Sequence, residues 1–158
     1  MFGNLAVNFE EVFSITIEVA EPIVIGQDDV KGRRQLIPIT KGEVVGPNGT
    51  KGIVLPGGVD SQIIRPDGRC ELSARYGIMM DDGCSIYIEN NGIRTVPKEY
   101  VADVLAGKFI DSDLYYFYTI PSFESYSEKY RWLNNYIFIG CATRLPECVL
   151  IKIFKCTK

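Results

Sequence analysis

The 158-residue chain contains no histidine. That absence excludes a Ser-His-Asp triad, a Cys-His nucleophile pair and histidine-based zinc or iron sites in one step. General acid or base chemistry would then fall to Asp, Glu, Tyr, Lys or a thiol. Positive charge is also scarce, with 17 Lys and Arg against 20 Asp and Glu and a net charge of −3. Nucleic acid and anionic membrane surfaces require clustered basic residues, so neither is expected as a partner. The one basic cluster, Lys31-Gly32-Arg33-Arg34, reads as a solvated turn edge. No apolar run approaches the ~20 residues of a membrane helix. Met1 to Glu11 carries acidic residues rather than a basic-then-apolar export pattern, so a cytoplasmic location is expected. The five cysteines (Cys70, Cys84, Cys141, Cys148 and Cys156) form an odd set without a CxxC pair. They read as reduced thiols rather than a disulfide framework. There is no GxGxxG. Gly46-Pro47-Asn48-Gly49-Thr50-Lys51-Gly52 lacks the spacing of a phosphate loop and reads as a turn. Neither a cofactor nor a metal is expected.

What is present is a β pattern. A length of 158 residues with 46% hydrophobic residues fits one domain spanning 1–158. Phe13, Ile15, Ile17 and Val19 alternate with Ser14, Thr16 and Glu18, the period of a half-buried strand. Pro22 to Gly32 reads as a loop, and Arg33 to Val45 as an extended segment whose Pro38 marks an edge or a bulge. A turn at Gly46–Gly49 and a short strand over Lys51–Leu55 lead to Pro56-Gly57, which suits a type II turn. Pro66-Asp67-Gly68, Asp81-Asp82-Gly83 and Asn90-Asn91-Gly92 are hairpin signals bounding strands at Val59–Arg65, Arg69–Met79 and Cys84–Asn90. Pro97 to Gly107 has the proline, spacing and closing glycine of one short helix. Asp113–Ile120 is an aromatic strand. Ser122–Leu133 is irregular, with Ser125 and Glu128 placed for a capping box. Tyr136–Thr143 and Cys148–Lys155 form a last hairpin. This predicts an all-β fold, an antiparallel up-and-down barrel of about eight to ten strands with one helix near 97–107.

The order of several short motifs resembles the DUF3237, or UPF0311, family of uncharacterised small β-barrels. The carrying residues run from Gly32-Arg33-Arg34-Gln35-Leu36-Ile37-Pro38-Ile39-Thr40-Lys41-Gly42 through Leu55-Pro56-Gly57-Gly58-Val59-Asp60, Ala74-Arg75-Tyr76 and Asn91-Gly92-Ile93-Arg94. They end with Tyr116-Phe117-Tyr118-Thr119-Ile120-Pro121 and Tyr130-Arg131-Trp132-Leu133-Asn134. Two positions depart from the family pattern: Ser61 stands where members often have tryptophan, and Tyr118 where they often have arginine. The resemblance implies an antiparallel barrel, a small cavity and a homodimer, and supplies no reaction.

The candidate site centres on the hairpin around Pro66-Asp67-Gly68. If Arg65 pairs with Gly68, Asp60 faces Ser73 and lies diagonal to Arg75, on one side with Gln62 and Glu71. The opposite side then carries Val59, Ile63, Cys70, Leu72, Ala74 and Tyr76. A one-residue bulge at the turn would reverse part of this. Asp60 and Arg75 therefore either face water on the outer wall or hold each other at the barrel mouth. The ligand-binding candidates are Asp60, Arg75, Tyr76, Tyr118, Trp132 and Asn134, with Asp60 and Glu124 as candidate bases. Trp132 and Asn134 share a cavity if their segment is extended, and Trp132 otherwise plugs the core. Tyr116 and Tyr118 share one face of their strand, opposite Tyr115 and Phe117, which suggests burial in a cavity or a dimer interface. Arg94 reads first as a solvated rim residue and second as an anion binder. Three functions stay open: a barrel that binds a small polar or aromatic molecule; a cofactor-free isomerase, cyclase, dehydratase or hydrolase using Asp60 or Glu124 with Arg75; and a structural homodimer subunit.

Overall fold

The computed structural model describes residue 3 and residues 5–158. Among these, ten strands form: β1 (Asn8–Val19), β2 (Ile23–Asp28), β3 (Gly32–Val45), β4 (Lys51–Val54), β5 (Gly58–Ile64), β6 (Arg69–Met80), β7 (Ser85–Thr95), β8 (Tyr116–Ser125), β9 (Phe138–Arg144) and β10 (Cys148–Thr157). One short helix, α1 (Val101–Leu105), follows a 3-10 turn at Lys98–Tyr100, and Gly107 closes the segment at φ 74°. All pairings are antiparallel. The wall runs β1–β10–β9–β8–β7–β6, continues through β4 and β5 to β3, and closes where β3 pairs β1. Because β4 and β5 share one place in the wall and β2 lies outside it, the barrel has eight positions. This is the expected closed antiparallel barrel, and closure leaves the wall without the free edges of an open sheet.

Residue alternation sets the inside. Phe13, Ile15 and Ile17 of β1 are buried, and the intervening Ser14, Thr16 and Glu18 point outward. The larger core fills one end of the barrel. There Phe123 packs between Phe13 (ring centroids 5.5 Å apart) and Phe138 (4.8 Å, edge to face), with Ile78, Met80, Ile86, Leu133 and Ile153 around them. Each such side chain taken out of water stabilises the fold by roughly 1.5–3 kcal/mol. A smaller cluster of Ile64, Cys70, Leu72 and Phe117 sits toward the other end, under Val104 and Leu105 of the α1 helix. Arg33 ties that helix down by donating to the Leu105 carbonyl at 3.1 Å.

Three segments differ from expectation. Residues 22–32 contain a strand, not only a loop: β2 pairs the first half of β3, and all six of its residues are exposed. Pro38 marks where β3 changes partner. Beyond it β3 pairs β1, before it β2, and proline has no N–H to contribute to either ladder. Asn90-Asn91-Gly92 is not a turn, because β7 runs straight through it to Thr95. The capping box at Ser125 and Glu128 does not form. β8 continues to Ser125, whose backbone N–H donates to Asn134 Oδ1 at 2.9 Å, and a 3-10 turn occupies Arg131–Asn135.

Candidate functional site

A three-residue turn decides what faces the interior. Arg65 N–H donates to the Arg69 carbonyl at 2.8 Å, and Gly68 takes φ 94°, which requires glycine there. Arg65 therefore pairs with Arg69 rather than Gly68, and the register moves by one. Asp60 lies opposite Ala74, Gln62 opposite Leu72 and Ile64 opposite Cys70, all facing inward. Glu71, Ser73 and Arg75 face out, and so do Val59 and Ile63, which the shorter turn would have put in the core. One residue of register exchanges the two faces.

Asp60 lines a partly enclosed cavity of about 70 Å³ between the two core clusters. One water needs roughly 15 Å³ by the same measure, so the space is several waters deep. Ile17, Ile39, Leu72, Phe117, Val149 and Ile151 give it apolar sides. Exposed Ala20 and Pro22, with half-buried Arg144, form a rim where β1 has ended and β2 has diverged.

The polar groups are on neighbouring strands. Gln35 Nε2 donates to Gln62 Oε1 at 3.0 Å, and Gln62 Nε2 donates to Asp60 Oδ2 at 2.8 Å. This buried chain fixes one carboxyl oxygen and leaves Oδ1 out of solvent without a partner. Burial pushes the Asp60 pKa above its ordinary value. The Gln62 hydrogen bond, the Arg94 charge and the Ser73 backbone N–H pull it back only in part. β7 supplies Asn90 (3% exposed) and Arg94 (5%), and β8 supplies Thr119 (4%). Asn90 Oδ1, Arg94 Nη2 and Thr119 Oγ1 are likewise buried and without a partner among the described residues. Arg94 stacks over the Phe117 ring at 5.7 Å.

Gly92 sits between Asn90 and Arg94 on β7, and Gly140 lies opposite Thr119 on β9. A Cβ at Gly92 would come within 2.5 Å of Thr119 Cγ2, and one at Gly140 within 2.2 Å of Thr119 Oγ1. The two glycines leave the space that the Thr119 side chain fills.

On β9, burial and the like charge of Arg94 both lower the Arg144 pKa. Arg144 is held by its backbone N–H, which donates to the Tyr115 hydroxyl at 2.9 Å. Among the described residues no cluster of three His, Cys, Asp or Glu side chains is placed to hold a metal ion.

The residues singled out from the sequence separate widely. Asp60 lines the cavity. Tyr76 is buried beside it in the larger core, where burial and the nearby Asp60 charge raise its phenol pKa. Arg75 is on the outer wall, 64% exposed and 3.7 Å from Glu89, so the diagonal Asp60–Arg75 pair does not exist. Tyr118 is on the outer face, its ring 4.6 Å from that of Tyr116, while Phe117 on the other face is buried. Trp132 packs against Phe138 at the far end (6.4 Å), and Asn134 brackets the Ser125 backbone with two hydrogen bonds. Both belong to the 3-10 turn, not to an extended segment. Glu124 faces outward and accepts from the Tyr126 hydroxyl. Sequence reasoning missed Gln62, Asn90, Thr119 and Arg144 as cavity groups and placed Arg94 at the surface. One signal was available: Ile86, Ile88, Asn90, Gly92 and Arg94 keep a period of two, which places Arg94 inside if Asn91-Gly92 is not a turn.

A family described as a protein of unknown function (DUF3237) matches residues 7–156. A UPF0311 protein of Clostridium acetobutylicum is 66% identical over 148 residues, which cover 94% of this chain and 93% of that one. The crystal structure of a protein of unknown function from Clostridium acetobutylicum is 62% identical and superposes with a TM-score of 0.92, covering 98% of this chain and all of that one. An enzyme from Penicillium herquei superposes with a TM-score of 0.71 over 97% of this chain and 98% of that one. At 24% identity it shares the fold alone.

Proposed function

Because this chain belongs to the DUF3237 family, for which no function is described, we propose its role from the cavity itself: it binds a small molecule inside the barrel. One observation carries the proposal. Four side chains from three strands (Asp60, Asn90, Arg94 and Thr119) line one cavity with apolar sides, and each carries a buried polar atom without a partner among the described residues. Leaving such atoms unpaired costs about 1–3 kcal/mol each, more for the guanidinium, so the arrangement favours an occupant with matching polar groups. An apolar enclosure with a few convergent polar groups is the usual form of a small-molecule site.

Native mass spectrometry of freshly purified protein tests this. The expected result is a bound organic mass, released on denaturation, whose re-addition raises Tm in wild type and not in Asp60→Asn. A protein that carries only waters, and that no compound in a broad metabolite panel stabilises, would overturn the proposal.

A second reading has its own support. A carboxyl whose pKa burial has raised, with one oxygen unpartnered beside the cavity, has the property wanted in a general acid. Asp60 would then donate its proton to a carbonyl or leaving oxygen of the bound molecule. The check is incubation of the co-purifying molecule with wild type and Asp60→Asn. Conversion by wild type alone supports acid catalysis. Unchanged molecule in both leaves binding as the function.

A further inference from the structure

Two guanidiniums border this cavity, and among the described residues neither Arg94 nor Arg144 has a carboxylate within ion-pair distance. The arginine ion pairs that do form, Arg65 and Arg69 with Glu71 and Arg75 with Glu89, are all on the outer wall. Arg94 is the more exceptional of the two. It is 5% exposed, its Nη2 has no partner, and it stacks on the face of Phe117 without an ion pair among the described residues. An ionised group held inside a protein without an opposite charge costs several kcal/mol, so such groups are normally paired or ligated. The acid nearest in effect to Arg94 is Asp60, already engaged by Gln62 on one oxygen, and Glu21 acts on Arg144 at the rim without forming an ion pair.

We infer that the cavity takes a small monocarboxylate, its carboxylate on the Arg94 guanidinium and its hydrocarbon part against Ile17, Ile39, Leu72, Val149 and Ile151. This rests on the small-molecule reading of the same cavity and adds the chemical class. The donor inventory fits. Guanidinium offers only donors, in a planar fork that matches a carboxylate's two oxygens, and the unpaired Thr119 hydroxyl offers another. Burial shifts Asp60 toward its protonated form, the form in which its unpartnered oxygen would donate to an anion rather than repel it. The one fixed acceptor, Asn90 Oδ1, is left for a hydroxyl or a water. Arg144 at the rim adds a second positive charge along the entrance.

Size narrows the class. An engineered cavity of about 150 Å³ binds benzene, and the enclosed space here is about 70 Å³. The enclosed space therefore holds only part of an acid: one of roughly four to six carbons would reach out past Ala20 and Pro22, and a larger one would extend into solvent.

The test uses three molecules with one carbon skeleton: 3-methylbutanoate, 3-methylbutanamide and 3-methylbutylamine, titrated calorimetrically into the full-length protein. The acid is expected to bind at least about tenfold tighter than the amide, the margin of a charge-assisted over a neutral hydrogen bond, and the amine not at all. In Arg94→Gln the acid's advantage should fall to about threefold or less. The wild-type ranking decides even if that variant does not fold. An amide that binds as well as the acid, or better, overturns the anion assignment and leaves the small-molecule reading intact. If none of the three binds, the formula of the co-purifying molecule decides. An acid supports the inference, a neutral or cationic compound overturns it, and the absence of any bound molecule removes the underlying reading as well.

Discussion

Asp60 and Ala74 are direct partners across β5 and β6, and Arg75, the next residue, has its side chain on the other side of the wall. The turn that fixes this register depends on Gly68. Its φ of 94° disfavours any L side chain, and a Cβ there would meet the Val96 carbonyl oxygen at 2.8 Å and Val101 Cγ2 at 2.9 Å. Gly83 has nearly the same φ, 87°, in open space. Gly68→Ala should therefore destabilise by about 2–4 kcal/mol and Gly83→Ala by about 1 kcal/mol, as strain plus overpacking against strain alone. Urea unfolding of the two variants side by side checks the difference. Equal losses would mean that the Gly68 surroundings give way.

Arg75→Ala should change stability by less than about 1 kcal/mol. Its ion pair with Glu89 is long, at 3.7 Å, and lies at the surface, where water and salt screen it. Ligand affinity should be unchanged, since the side chain does not reach the cavity. Calorimetry on this variant with whatever molecule co-purifies is the measurement. A loss of affinity would contradict the register of β5 on β6.

The pH dependence of stability has a defined sign at Asp60. Its folded pKa lies above the unfolded value of 3.8, so the native state holds the proton more tightly. The associated stability is fully present below the unfolded pKa and is lost as pH rises through the folded pKa. Asp60→Asn, which cannot ionise, should be more stable than wild type at pH 7, with the gap narrowing as pH falls toward 4. Thermal melts across that interval follow it directly. A gap that widens toward acid would show that Asp60 is a stabilising carboxylate instead.

Cys70 should resist alkylation. It is fully buried between Ile64, Leu72 and Phe117, and burial pushes its thiol pKa up to about 11, so little thiolate forms at pH 8. Cys84, Cys141, Cys148 and Cys156 are partly exposed. Iodoacetamide treatment of the folded protein at pH 8, read by peptide mass spectrometry, should modify members of that group while leaving Cys70 free until denaturant is added.

The barrel was legible because alternation survives where one face is buried and the other wet. Phe13, Ile15 and Ile17 show it, and the turns at Gly49, Gly57, Gly68 and Gly83 all use the positive φ that glycine signals. β2 escaped because a strand lying outside the wall has no buried face to create a period: Ile23, Val24 and Ile25 are all exposed. Asn91-Gly92 gave a hairpin signal for a tertiary reason. Glycine is placed there by the nearness of Thr119, and nothing local distinguishes that from a turn. Asp60 stood out on motif grounds, but its true companions, Gln62, Asn90, Arg94 and Thr119, come from three strands whose registers are set by turns far from them. The error at Arg75 came from one residue in one such turn.

The place shared by β4 and β5 has a consequence for cooperativity. Between them Leu55, Pro56 and Gly57 interrupt the ladder that would otherwise tie β3 to β6 along their whole lengths, with only the Leu55 N–H reaching the Gly77 carbonyl. On the other side of β3, the ladder to β1 ends at Val19 and Ile39, with one further bond from the Ala20 N–H to the Pro38 carbonyl at 2.9 Å. Both seams fall at the level where Val19 pairs Ile39 and Ile39 pairs Gly58, in the wall of the cavity. The least tied point at that level is Thr40 of β3, which has no partner in either ladder, so its amide should exchange hydrogen faster than those of β6 and β7, whose pairing runs unbroken from Arg69–Thr95 to Met79–Ser85.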